Sequence, residues 1–146
     1  LRLGLALLIL QIIWGAFVAG LDAGFIHNFW PFMSDGKLVH KTVYIEQQQL
    51  FRNFIEGRSG VQFVHRYLAY IVVGIIIFIG YKSRKIELTK LQQKGILSLV
   101  SLVIIQFALG VFTLILSVPL WLGIAHQVVA FLLLGSMVFT LHRFTK

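Results

Sequence analysis

The 146-residue chain contains no cysteine. That excludes disulfides, thiolate metal sites and a covalent c-type haem attachment within it. Charge is scarce too. Charged residues make up 12% of the chain and hydrophobic ones 58%, whereas a soluble domain carries about twice that charged fraction. A bilayer offers no water to satisfy the backbone, so spanning segments must be helices or a closed barrel. The apolar runs here are far longer than barrel strands of about 10 residues. The fold class is therefore read as all-α, an integral membrane four-helix bundle. There is no initiator methionine. Leu1 begins inside a hydrophobic run that lacks the short core and small-residue cleavage site of a signal peptide. The sequence is accordingly expected to be a piece of a longer protein.

Formal charge is absent from Leu3 to Leu21, 19 residues that can cross about 30 Å of hydrocarbon. The mixed stretch 22–60 is expected to lie outside the membrane, with turn signals at NFWPF, SDGK and EGRSG. Its 42–55 part is expected to form an interfacial helix with Tyr44, Leu50, Phe51, Phe54 and Ile55 on the buried side. A second span covers about 61–81. From Gly95 to His142 no residue is formally charged. As one helix that run would be about 72 Å long, over twice the bilayer, so it must fold back. Ser117-Val118-Pro119 is the natural corner, because proline disfavours helix before it and can start the next. The remaining spans are then about 95–116 and 119–141.

The net charge of +8 is placed as membrane topology requires. Residues 82–94 hold five basic side chains and one acid, while the 22–60 loop is balanced. The excess of Lys and Arg puts both chain ends and the 82–94 loop on the cytoplasmic or mitochondrial matrix side, and the 22–60 loop outside. A nucleic-acid partner is not expected; membrane lipid is.

Two histidines then acquire matching depths. His65 lies 17 residues before Lys82, and His126 lies 17 residues before Arg143. Both spans run outside to inside, so both imidazoles lie about 25 Å from the inner boundary. Each has an alanine four residues deeper, Ala69 and Ala130, which leaves room for a ring system. The preceding spans also echo each other. QIIWGAF and QFALGVF both read Q-x-x-x-G-x-F, giving Gln11 with Gly15 and Gln106 with Gly110. Two helix pairs in tandem, each ending in a histidine-bearing helix, are a recurrent membrane-protein design. A single intramembrane histidine is commonly just hydrogen-bonded to a neighbouring helix. Two at one depth, with no Cys or Met beside them, point to bis-histidine ligation of haem iron.

Several flanking residues keep two readings. Gly15 and Gly110 either give a porphyrin a flat wall or let helices pack closely. Arg66 either snorkels to lipid headgroups or pairs a haem propionate. Gln11 and Gln106 are expected to form interhelical hydrogen bonds. His27 and His40 are read as solvated loop residues, and His142 has no partner at its depth.

GAFVAGLDAG, NFWPFM, RNFIEG, VQFVHR and the later LGVFTL, VPL and AHQ occur in order along nearly the whole chain. Together they resemble the second half of the haem A synthase family, inner-membrane enzymes of cytochrome oxidase assembly in bacteria and mitochondria. The resemblance implies an oxidoreductase built of two four-helix halves, which oxidises a methyl group of haem O to the formyl group of haem A. It implies that residues 1–146 are one such half, that the N-terminal half is missing, and that the fragment alone is inactive. His65 and His126 would be the axial ligands of a haem b cofactor, with Arg66, Gln62, Gly15 and Gly110 around it. The catalytic half of the family carries a glutamate three residues before its His-Arg; here that position is Gln62. No catalytic residue is therefore expected in this half, and haem O would be the substrate of the missing one. The two axial histidines leave iron no open site, so an electron-relay role is expected, with Trp30 and Phe32 covering the outward edge. Haem O synthase, cytochrome oxidase assembly factors and a second copy of the chain are the expected partners. Two other readings stand beside this one: a transmembrane b-type electron-transfer cytochrome, and a membrane scaffold or transporter.

Overall fold

A computed structural model describes residues 1–34, 36–45 and 50–145. Among them regular structure is helical: α1 (Arg2–Gly20), α2 (Thr42–Ile45), α3 (Leu50–Asn53), α4 (Arg58–Ser83), α5 (Lys90–Ile115) and α6 (Leu120–Thr145), with a 3-10 turn at Ala23–Phe25. Helices α1, α4, α5 and α6 are long and apolar enough to cross a membrane. Three of them run to 26 residues, about 39 Å, and so outreach a hydrocarbon core of about 30 Å. Hence α4 begins at Arg58 and α6 continues to Thr145, beyond the uncharged stretches. A helix stops where its end groups find partners, not where apolarity stops.

The start of α5 is fixed by such partners. Thr89 Oγ1 accepts from the Gln92 backbone N–H at 3.3 Å, and Gln92 Oε1 accepts from the Thr89 N–H at 3.0 Å, a reciprocal cap. Gln92 Nε2 also donates to the Arg143 carbonyl at 3.0 Å, tying the start of α5 to the end of α6. At the other end of these two helices the chain reverses through Ser117 and Val118, both left-handed at φ 57° and 58°. A β-branched residue seldom adopts that conformation. Val118 is held there by its N–H donating to the Thr113 carbonyl at 2.8 Å. Its side chain also packs on Gly24, where an added Cβ would come within 2.9 Å.

The long helices close a ring in which α1 packs on α4, α4 on α5, α5 on α6 and α6 on α1. The histidine-bearing helices α4 and α6 therefore stand on a diagonal. The apolar core is Leu8, Val72, Ile76, Leu99, Val103, Leu133 and Met137. Val72 and Leu133 each lie seven residues deeper than a histidine, and Ile76 and Met137 each lie eleven deeper. Leu8 and Val103 each precede a repeat glutamine by three residues. The buried Gly4 and Leu99 each precede one by seven. The tandem repeat thus extends into the packing. The buried side chains close the half of the bundle nearer the chain ends and leave the histidine level outside the apolar cluster.

The segment between α1 and α4 is anchored by polar contacts to these helices. Asn28 Nδ2 donates to the Gly24 and Leu114 carbonyls at 2.8 and 2.7 Å. Asn53 is fully buried and donates to the Tyr44 carbonyl at 2.8 Å. The single interfacial helix expected over 42–55 is instead two short turns, α2 and α3, with 46–49 outside the described residues. Tyr44, Phe51 and Ile55 face away from the protein, Phe54 is half-buried, and Val43 and Asn53 are the buried positions. The Leu50 side chain is also outside the described set.

Candidate functional site

Each histidine is met by the glycine and glutamine of the helix before it. A Cβ on Gly15 would lie 3.0 Å from His65 Cε1, and one on Gly110 would lie 2.9 Å from His126 Cε1. Glycine at these two places is therefore what lets an imidazole lie against the neighbouring helix. Gln11 Nε2 lies 3.1 Å from His65 Nδ1 and 3.4 Å from its Nε2, and donates to the His65 carbonyl at 3.0 Å. Gln106 Nε2 lies 3.2 Å from His126 Nε2. The interhelical bonds expected of both glutamines are present, and each falls on a histidine.

The arrangement fits a metal-bearing planar group. His126 Nδ1, Gln11 Oε1 and Gln106 Oε1 are buried without a partner, and such atoms cost about 1–3 kcal/mol each. His126 Nδ1 is the one of the three that can offer a lone pair to a metal. The donor set, two imidazoles with no sulfur ligand at that depth, is the set that holds haem iron without a covalent link.

Gln62 and Arg66 are buried one on each side of His65, but they turn outward to the loop. Gln62 Nε2 donates to the Ala23 carbonyl at 3.0 Å and to the Ile26 carbonyl, and its Oε1 has no partner. Arg66 donates from Nη1 to the Phe32 carbonyl at 2.8 Å and from Nη2 to the His27 carbonyl at 2.9 Å. Arg66 thus does not snorkel. It clamps two loop carbonyls over the histidine level. A lysine cannot span both acceptors, so Arg66→Lys is expected to destabilise loop docking by about 1–3 kcal/mol. Limited proteolysis should then cut the 27–41 segment faster than in the parent protein.

His27 and His40 are not solvated as the sequence suggests. Both are half-buried, with ring centroids 4.5 Å apart. His27 Nε2 lies 2.9 Å from Ser59 Oγ, His40 Nδ1 lies 2.7 Å from Thr42 Oγ1, and the two hydroxyls are 2.7 Å apart. These side chains lock the loop to the head of α4, because a half-buried imidazole needs hydrogen-bond partners. Trp30 and Phe32, expected as covers, are 47% and 40% exposed, whereas Met33 is fully buried. Nothing in the loop's composition singled out Met33, Asn53 or Ser59. Two open grooves lie away from the histidines, one at the end of the bundle that holds Leu1, Phe78 and Phe144, the other along Ser98, Phe131 and Gly135.

A ring of helices long and apolar enough to cross a membrane, two of them on a diagonal and each carrying a half-buried, glycine-backed histidine, defines a class: multi-pass, all-α membrane proteins. The chain belongs to the cytochrome oxidase assembly protein family, whose model matches residues 1–138. It is 59% identical over 145 residues to a Flavobacterium johnsoniae protein named Heme A synthase, covering 99% of this chain and 42% of that protein. A Flavobacterium psychrophilum protein of the same name is 55% identical, with 99% and 43% covered. One from Wolbachia pipientis is 41% identical over 137 residues, with 94% and 37% covered. The chain therefore spans about two fifths of the length of these curated relatives. No solved structure matches it.

Proposed function

We propose that this chain is one half of a haem A synthase, the half that holds a haem b between His65 and His126. The full enzyme is an oxidoreductase that converts the methyl group of haem O to the formyl group of haem A. The observation that carries this reading is the diagonal histidine pair, each member backed by a glycine and a glutamine of the same repeat. The relatives' printed name and the family match support the reaction.

In this reading the two imidazoles hold the iron from opposite helices, and Gly15 and Gly110 clear the space that lets the rings lie where they do. Bound there, haem b would supply a one-electron redox centre held by the two imidazoles. The residues of this half then insulate and orient it. Arg66 and Gln62 fasten the loop above it, and the inner apolar core shuts it off from the opposite side. With glutamine at position 62, this half carries no acidic group next to the His-Arg pair. The substrate haem O is accordingly assigned to the half outside this chain, with haem O synthase and assembly factors as neighbours. The basic 82–94 loop and both chain ends are assigned to the inner side of an inner membrane, and the bacterial relatives support a bacterial one.

The test is spectral. Purified from membranes of haem-producing cells, the protein is expected to show a low-spin b-type absorption spectrum, and His65→Ala or His126→Ala is expected to remove it. An unchanged spectrum in both variants would sink the assignment.

A further inference from the structure

The segment between α1 and α4 does not stand clear of the helices. Helix α1 has 19 residues and spans about 28 Å, no more than a hydrocarbon core. The chain therefore leaves α1 at the bilayer boundary remote from the chain ends. Side chains of α4 then hold it there. Gln62 donates to the Ala23 and Ile26 carbonyls, Arg66 to the His27 and Phe32 carbonyls, and Tyr67 to the Leu38 carbonyl. Counted along α4 from Lys82, a core of about 30 Å ends near Gln62, so Arg66 and Tyr67 are rooted about 6–8 Å inside it. Their side chains lean back toward the helix start, which brings the carbonyls they hold to the boundary itself.

Irregular backbone is tolerated at that depth only where protein satisfies its polar groups. The α4 donors do so for the carbonyls just named. A tight turn does so for its own, with the Met33 N–H donating to the Lys37 carbonyl and the Lys37 N–H to the Ser34 carbonyl, both at 3.0 Å. Met33 is fully buried, whereas Phe29, Trp30, Phe32 and Leu38 are 40% to 58% exposed. Lys37 and Lys41 of the same segment are exposed, and neither pairs with an acid among the described residues. An exposed patch of large apolar side chains marks a contact surface. Rings at headgroup level, with lysines free to reach lipid phosphates, are the chemistry of a bilayer surface.

We propose that residues 29–34 and 36–38 form an interfacial anchor, with Phe29, Trp30, Phe32 and Leu38 immersed in the headgroup layer of a phospholipid bilayer and Lys37 and Lys41 meeting lipid phosphates. Part of the stretch expected outside the membrane thereby lies in its surface layer. The carbonyl clamp of Gln62, Arg66 and Tyr67 is what lets an irregular segment rest at that depth. The proposal does not use the haem and stands without it.

The test uses the full-length protein in vesicles of phosphatidylcholine brominated at shallow or at deep acyl carbons, because bromine quenches a nearby tryptophan. The emission of Trp30, taken as parent minus Trp30→Phe, is expected to be lost with shallow bromines and kept with deep ones. Trp30 emission that neither set quenches, or that the deep set quenches more, overturns the proposal. Photo-crosslinking identifies the partner independently. Benzoylphenylalanine in place of Phe32 is expected to form lipid adducts on irradiation in membranes. The same group in place of Glu56, exposed just before α4, is expected to form none. Adducts to polypeptide in place of lipid at position 32 overturn the anchor in favour of a protein interface, and equal lipid adducts at both positions overturn it as non-selective.

Discussion

Gly110→Leu is expected to strip the protein of haem as completely as His126→Ala, although it leaves both histidines in place. A Cβ at Gly110 already lies 2.9 Å from His126 Cε1, closer than carbon atoms tolerate. The ring cannot retreat without leaving the helix it rests on. Overfilling a packed site costs about 1–3 kcal/mol, and leucine adds three further carbons. Gly15→Leu is expected to do the same at His65. Alanine at either position should give partial haem content. Controls exist on the histidine-bearing helices α4 and α6, because a Cβ on Gly74, Gly123 or Gly135 meets nothing within 4 Å, and alanine there is expected to leave haem content at the parent level. Full haem content in both leucine variants would show that the imidazoles do not lie against α1 and α5.

Gly60→Ala is expected to be the most damaging single methyl in the chain for stability. The added Cβ would overlap the backbone carbonyl of Asn53, and backbone cannot rotate away as a side-chain tip can. The loop must lift off the head of α4, pulling Asn53 and its bond to Tyr44 with it. A loss of about 3 kcal/mol is expected, the upper part of the overpacking range. It should appear as a lower melting temperature in detergent and as faster cleavage between α2 and α4. Unaltered melting would mean that the loop does not seat on Gly60.

The helices were legible because hydrocarbon excludes charge, so a missing charge is a local and unambiguous signal. The corner at Pro119 was legible for a similar reason, since proline acts on its own neighbours. The glutamine–glycine repeat was visible as a pattern, and the contacts of Gln11 and Gln106 with histidines follow its spacing. The outer loop was not legible. Arg66 and Gln62 donate to carbonyls of His27, Phe32, Ala23 and Ile26. Every residue has a carbonyl, so no side-chain type announces the acceptor. His27 and His40 misled for the same reason, because burial of a polar loop depends on what folds over it. The apolar positions of 42–55 suited one amphipathic helix, but Asn53 donates to the Tyr44 carbonyl nine residues earlier, a separation that one straight helix would not close.

The closed ring has a consequence for chain order. Because α6 packs on α1 and an even number of long helices returns the chain to the side it left, Leu1 and Thr145 line the same groove. A short linker can therefore join the two ends, and new ends can be opened in the turn between Ser83 and Lys90. The resulting circular permutant, with α5 and α6 first and α1 and α4 last, keeps every helix contact and exchanges the two repeats in sequence while leaving them fixed in space.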